Sequence, residues 1–290
     1  MKKGVSEHFS PRATLCALGI KIKALKLFEV IAEQVHIKQK TIKHKPIDKL
    51  LDAFIAILAG AHGLVEINTR LRSDPALQQA FGRQSCAEQS VVQQTLDACT
   101  AANVIQMQEA LTTIFRQHSR AYQHNYRRAW QLLDVDITGL PCGKRAELSR
   151  KGYFSTKGIR YGRQLGRVVA MPYQEIVVDQ LLSGDVQLSR ALRPLVLAAE
   201  EVLKVDEGKR RRTIIRVDAG GGSIGDVNWL LERGYQIHGK DCSAARAAAW
   251  AVAARTGGTA CHRRRARAAA RGVPEGHRAA RPTPAAGRRP

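Results

Sequence analysis

Two aspartates two residues apart, and a third far along the chain, are the residues best suited to chemistry. From Gln131 the pattern alternates as in a strand. Leu132, Asp134, Asp136 and Thr138 fall on one face, and Leu133, Val135 and Ile137 on the other. Asp218 closes a later strand, Arg212 to Asp218. Carboxylates at i and i+2 of a strand lie roughly 6.5–7 Å apart. Like charges that close raise each other's pKa unless a cation compensates, and Mg²⁺ is the natural one. It binds through one or two carboxylates and completes its shell with phosphate oxygens, which makes phosphodiester chemistry the reading of interest. Two alternatives stay open on these residues alone. The acids can pair with arginines or cap loops, and Asp-x-Asp also serves sugar-nucleotide transferases.

The charge balance separates these alternatives. Lys and Arg total 47 against 25 Asp and Glu, a formal net charge of +22. A chain this basic fits a polyanion, and nucleic acid is the commonest, whereas a sugar-nucleotide transferase leaves the charge unexplained. Candidate DNA contacts are Lys144, Arg145 and Lys151 after the first strand, Arg127 and Arg128 before it, and Lys240 at the end of the last, Tyr235 to Lys240. Solvated charge and a basic linker are the bland readings of the same residues.

Other chemistries find little support. The six cysteines form no C-x-x-C, so neither a disulfide framework nor a zinc site is expected. No H-x-x-x-H pair suggests a zinc hydrolase, and the Gly220-Gly221-Gly222-Ser223 loop lacks the Lys of a phosphate-binding loop. The most apolar run, Leu50 to Val65, is too short for the ~20 residues of a membrane span. With no secretory signal visible, a cytoplasmic location is expected.

The elements that must position the acids form an α/β chain in three parts. Residues 1–130 read as helical, with DNA binding as a candidate role. One helix carries Leu25, Phe28, Ile31 and Val35, and another runs from Pro46 to the Gly60 region. Ser73-Asp74-Pro75 is a turn or helix start. Gln84 to Thr100 holds a short helix-turn-helix candidate with Val91, Val92, Leu96 and Cys99 on one face; Gln89, Gln93 and Gln94 would face DNA if it is more than core. Residues 131–241 read as a mixed sheet in the order β-β-β-α-β-α-β, including a hairpin of 165–171 with 175–182 and a helix around Pro194. Residues 242–290 change character: Ala and Arg dominate, Glu275 is the only acid, and disorder is expected. An evolved basic arm and a slipped reading frame both produce such text, and the abrupt break favours the slip.

Four stretches carry a family resemblance: Leu-Leu-Asp-Val-Asp-Ile-Thr-Gly-Leu at 132–140, Lys-Gly-Tyr-Phe at 151–154, Ile-Ile-Arg-Val-Asp-Ala-Gly-Gly-Gly at 214–222 and Arg-Gly-Tyr-Gln-Ile-His-Gly-Lys-Asp at 233–241. Residues 1–241 resemble the front of a DDE-type transposase of bacterial insertion sequences. The resemblance implies an RNase H-like catalytic domain, incomplete here. It implies Mg²⁺ (or Mn²⁺) as cofactor, double-stranded terminal-repeat DNA as partner, and two copies meeting in the DNA complex. It assigns Asp136, in Asp-Ile-Thr, as first catalytic and metal-holding acid, with Asp134 in reserve, and Asp218, in Arg-Val-Asp-Ala-Gly, as second. The family's third acid, expected on a helix well beyond Lys240, has no counterpart. The resemblance therefore implies a truncated or frameshifted transposase with impaired cleavage; a DNA-binding fragment that occupies element ends without cutting is the alternative.

Overall fold

The computed structural model describes residues 8–40, 43–154, 158–218 and 223–239, with Ala248 and Val252. The Gly220–Gly222 loop, Lys240, Glu275 and nearly all of the Ala/Arg-rich stretch lie outside the described residues. The chain falls into two compact units, Met1–Gln123 and His124–Pro290.

The first unit is helical: α1 (Ala13–Ala24), α2 (Leu27–Gln34), α3 (Pro46–Leu58), α4 (Ile67–Arg70), α5 (Pro75–Ala80), α6 (Gln89–Asp97) and α7 (Ala101–His118). The single helix expected around Leu25 is two, because Lys26 adopts a left-handed φ of 56°. Pro46 opens α3, and Gly60, at φ 83°, follows its end. Asp74 caps α5 by accepting the Leu77 N–H at 3.0 Å. Within Gln84–Thr100 there is one helix, α6, not two. Its buried residues are Val92 and Thr95, while Leu96, expected inside, is exposed. Ile55, Ile67, Leu71, Leu77 and Val92 are fully buried and form the centre of this unit's core.

A buried ion pair sits among them. Asp52 on α3 is 0% exposed. It accepts Arg83 Nε at 2.7 Å, Arg83 Nη2 at 3.2 Å and the Ala87 N–H at 2.8 Å. Burial works against the Arg83 charge, but the hydrogen bond and charge of Asp52 outweigh it and hold the guanidinium above its ordinary pKa. The pair ties α3 to the segment that leads into α6.

The second unit is a six-stranded mixed sheet with helices. Its elements are β1 (Gln131–Pro141), β2 (Arg150–Tyr153), β3 (Ile159–Ala170), β4 (Glu175–Ser183), α8 (Leu188–Leu203), α9 (Glu207–Arg210), β5 (Thr213–Val217), α10 (Ile224–Glu232) and β6 (Gln236–Gly239). The order is the expected one with two additions, the short strand β2 and the one-turn helix α9. β3 also begins at Ile159, six residues before the expected start. Across the sheet the strands run β3, β1, β5, β6, with β2 and β4 both on the outer edge of β3. β1 is antiparallel to β3 and parallel to β5, and β5 is parallel to β6. This is an RNase H-like arrangement.

Alternation divides the sheet into two faces. Leu133, Val135, Val168, Ala170, Ile215 and Val217 are buried on one face. The α8 stripe of Leu192, Leu195, Val196, Ala199 and Leu203 is buried as well. Gly166 lets α8 approach, since a Cβ there would lie 3.0 Å from Leu195 Cδ1. Pro194 lies within α8 and does not end it. Arg193 of α8 reaches Asp226 of α10 at 2.8 Å, and the buried Tyr235 donates its hydroxyl to Glu200 at 2.7 Å. The opposite face is open: Asp136, Thr138, Leu140, Asp179 and Leu181 are exposed, and Tyr161, Arg163, Leu165 and Arg167 are half-buried.

Candidate functional site

The parallel ladder between β1 and β5 fixes the position of the two principal acids. Its last register pair is Val135 with Val217. The next residues are Asp136, within β1, and Asp218, just past the end of β5, both exposed. Neighbouring strands run about 4.8 Å apart, so the two side chains start from adjacent positions at the carboxyl end of β5. In open α/β sheets that end is where ligands gather. Asp136 Oδ1 accepts the N–H of Ile137 at 2.7 Å.

The charges around the acids are paired in rows across the open face. Arg167 on β3 stands opposite Asp136 in register. Its guanidinium turns the other way, to Asp179 on β4, with Nε–Oδ1 2.8 Å and Nη2–Oδ2 3.2 Å. That hydrogen bond raises the Arg167 pKa. One row further in, Asp134 stands opposite Arg216, and the two form an ion pair. The hydrogen bond from Arg216 to Asp134 raises the arginine's pKa in the same way. The other oxygen of Asp134, Oδ1, is closed to solvent and has no hydrogen-bond partner. Asp134, the reserve ligand of the sequence reading, therefore binds an arginine on the neighbouring strand. That spacing of 82 residues hides the pairing from sequence inspection.

Among the described residues, the candidate DNA contacts fall in two places, neither in register with the acids. Arg127 and Arg128 are exposed in the turn that precedes β1, beyond its amino end, while Asp136 lies at the middle of that strand. Lys144 and Arg145 are exposed in the loop after β1, and Lys151 is exposed on β2. The ammonium groups of Lys144 and Lys151 lie 5.8 and 5.7 Å from the centre of the Tyr161 ring. In sequence these lysines follow β1 closely, which would place them near the acids. The length of β1 carries them away instead, because Lys151 pairs with Tyr161, six residues along β3 from the partner of Asp136. Lys240 lies outside the described residues.

Among the described residues no group of three or more His, Cys, Asp or Glu is arranged to hold a metal ion. No described helix is long and apolar enough to cross a membrane. The donor set beside the Val135–Val217 pair is two carboxylates, which fits an oxygen-preferring ion that draws its other ligands from water and phosphate.

No family model and no curated protein matches the chain. Among solved structures, that of a pre-cleavage Mos1 transpososome aligns with 81% of this chain and 80% of that chain, at 12% identity and a TM-score of 0.26.

Proposed function

We propose that the chain is a DDE-type transposase of the bacterial insertion-sequence kind, holding duplex DNA on its basic surfaces and presenting Asp136 and Asp218 to a phosphodiester. One observation carries this reading: both acids directly follow the Val135–Val217 pair of adjacent parallel strands in an RNase H-like sheet. The net charge of +22 supports a polyanionic partner.

Asp136 and Asp218 would hold Mg²⁺, or Mn²⁺, which when bound supplies charge stabilisation to the phosphodiester under attack. The chain's own residues do the rest. The Ile137 N–H orients the Asp136 carboxylate. Arg167, tied to Asp179, leaves that carboxylate free of a salt bridge across the strands. Arg216, tied to Asp134, neutralises the acid one row away.

A second reading has its own support. Because no third acid joins the pair among the described residues, the chain fits a DNA-binding fragment that occupies element ends without cutting them. The two readings share an expectation and divide on a second. Purified chain should bind duplex DNA with an affinity that falls steeply as salt rises. Nicking of terminal-repeat DNA in Mg²⁺, lost in Asp136→Ala with binding retained, supports the enzyme. Binding without nicking supports the fragment, and no binding to duplex DNA contradicts both.

A further inference from the structure

The open face of the sheet continues without a break from the acids to the far end of the β2–β3 pair. Thr138 and Leu140 follow Asp136 on β1, opposite Leu165 and Arg163 on β3. Tyr161 and Ile159 extend the same face of β3, with Lys151 and Tyr153 of β2 as their register partners. The end of this strip carries two large, exposed side chains in register. Tyr153 is 74% exposed and Ile159 is 77% exposed, side by side. Two lysines flank the Tyr161 ring next to them. Between Cys142 and Arg163 the described residues carry six Lys or Arg and one acid, Glu147.

We infer that this strip is a track for duplex DNA, and that Lys144, Lys151, Tyr153 and Ile159 form a grip at its far end. The inference rests on the reading that the chain binds DNA, and it adds where and how far from the acids. The charge complementarity is to a polyanion. The exposed aromatic and aliphatic pair offers a surface to bases or sugars that a phosphate-only contact does not need. β3 runs eight residues from Arg167, opposite Asp136, to Ile159, opposite Tyr153. At ~3.3 Å per residue the grip lies about 26 Å from the acids. DNA rises about 3.4 Å per base pair, so the grip meets the duplex about eight base pairs from the phosphate at Asp136.

The test uses the full chain and a 24-base-pair duplex. Lys144→Gln with Lys151→Gln should flatten the slope of log affinity against log salt by about two, at ~0.9 per lost phosphate contact. Tyr153→Ser with Ile159→Ser should weaken binding about fivefold or more at unchanged slope, since an apolar contact releases no counterions. A photo-reactive benzoylphenylalanine in place of Tyr153 should cross-link to the duplex. The same group in place of Leu197, exposed on α8, should not. The cross-link reads contact directly and does not depend on the stability of the other variants. Wild-type chain that fails to bind the duplex overturns the DNA reading together with the track. Wild-type binding that both double variants retain, with no cross-link from position 153, overturns the track and leaves the DNA reading standing. Displacement of the duplex by polyglutamate of equal charge, at equal concentration, overturns DNA as the occupant and points to an acidic protein segment.

Discussion

Asp52→Ala should lower the stability of the helical unit by about 3–5 kcal/mol, the usual result of leaving one member of a buried ion pair without its partner. The removed carboxylate accepts two bonds from Arg83 and one from the Ala87 N–H. Truncation strands a guanidinium whose side chain is 9% exposed and an orphaned backbone donor. Arg83 keeps a contact to Asp48 Oδ1 at 3.3 Å, but Asp48 is partly solvated and does not reach Ala87. The paired replacement Asp52→Leu with Arg83→Met should recover much of the loss, because apolar side chains of similar size need no partners. Urea unfolding followed by far-ultraviolet circular dichroism measures both. All three tryptophans lie beyond residue 123, so their fluorescence follows the other unit separately. A loss below 1 kcal/mol for Asp52→Ala would show that the pair is solvated.

Gly152→Ala should separate β2 from β3. A Cβ on Gly152 would sit 1.9 Å from the carbonyl oxygen of Gly184, and one on Gly184 would sit 2.0 Å from that of Gly162. The obstacle is backbone against backbone, so no rotamer relieves it. The expected penalty is of the overpacking kind, about 1–3 kcal/mol, concentrated on this corner. Phe154 is anchored at the same place. It is 5% exposed and lies against Gly139 and Gly162, where any Cβ would strike its ring at 2.3 and 2.5 Å. Hydrogen exchange should accelerate in Arg150–Tyr153 and Ile159–Gly162 in this variant. Gly143→Ala, with nothing within 4 Å of the added carbon, should leave exchange unchanged. Equal exchange in the two variants would contradict the close glycine crossing.

What the sequence disclosed follows from how local each signal is. The alternation of 131–138 shows a strand and its two faces; the Asp-Ile-Thr and Arg-Val-Asp contexts point to Asp136 and Asp218 only through the resemblance. The stripe of α8 and the cap of α5 are equally local. β2 escaped because Arg-Lys-Gly-Tyr has no apolar alternation; it is held by its ladder to β3 and by glycines that allow close backbone approach. The break between α1 and α2 escaped because neither Leu25 nor Lys26 is a residue that marks a left-handed turn. The pairings Asp52–Arg83 and Asp134–Arg216 join residues 31 and 82 apart in sequence, and only the folded topology brings them together. The same holds for the lysines of the β2–β3 end, whose distance from the acids is set by strand length.

The central claim is that Asp136 and Asp218 together take up a divalent ion. Mn²⁺ binding, read by electron paramagnetic resonance on the full chain in the presence of duplex DNA, tests it most directly. Saturable uptake that is lost in both Asp136→Asn and Asp218→Asn and kept in Asp134→Asn is the predicted result. Uptake indifferent to Asp136 and Asp218, or lost only with Asp134, would contradict it.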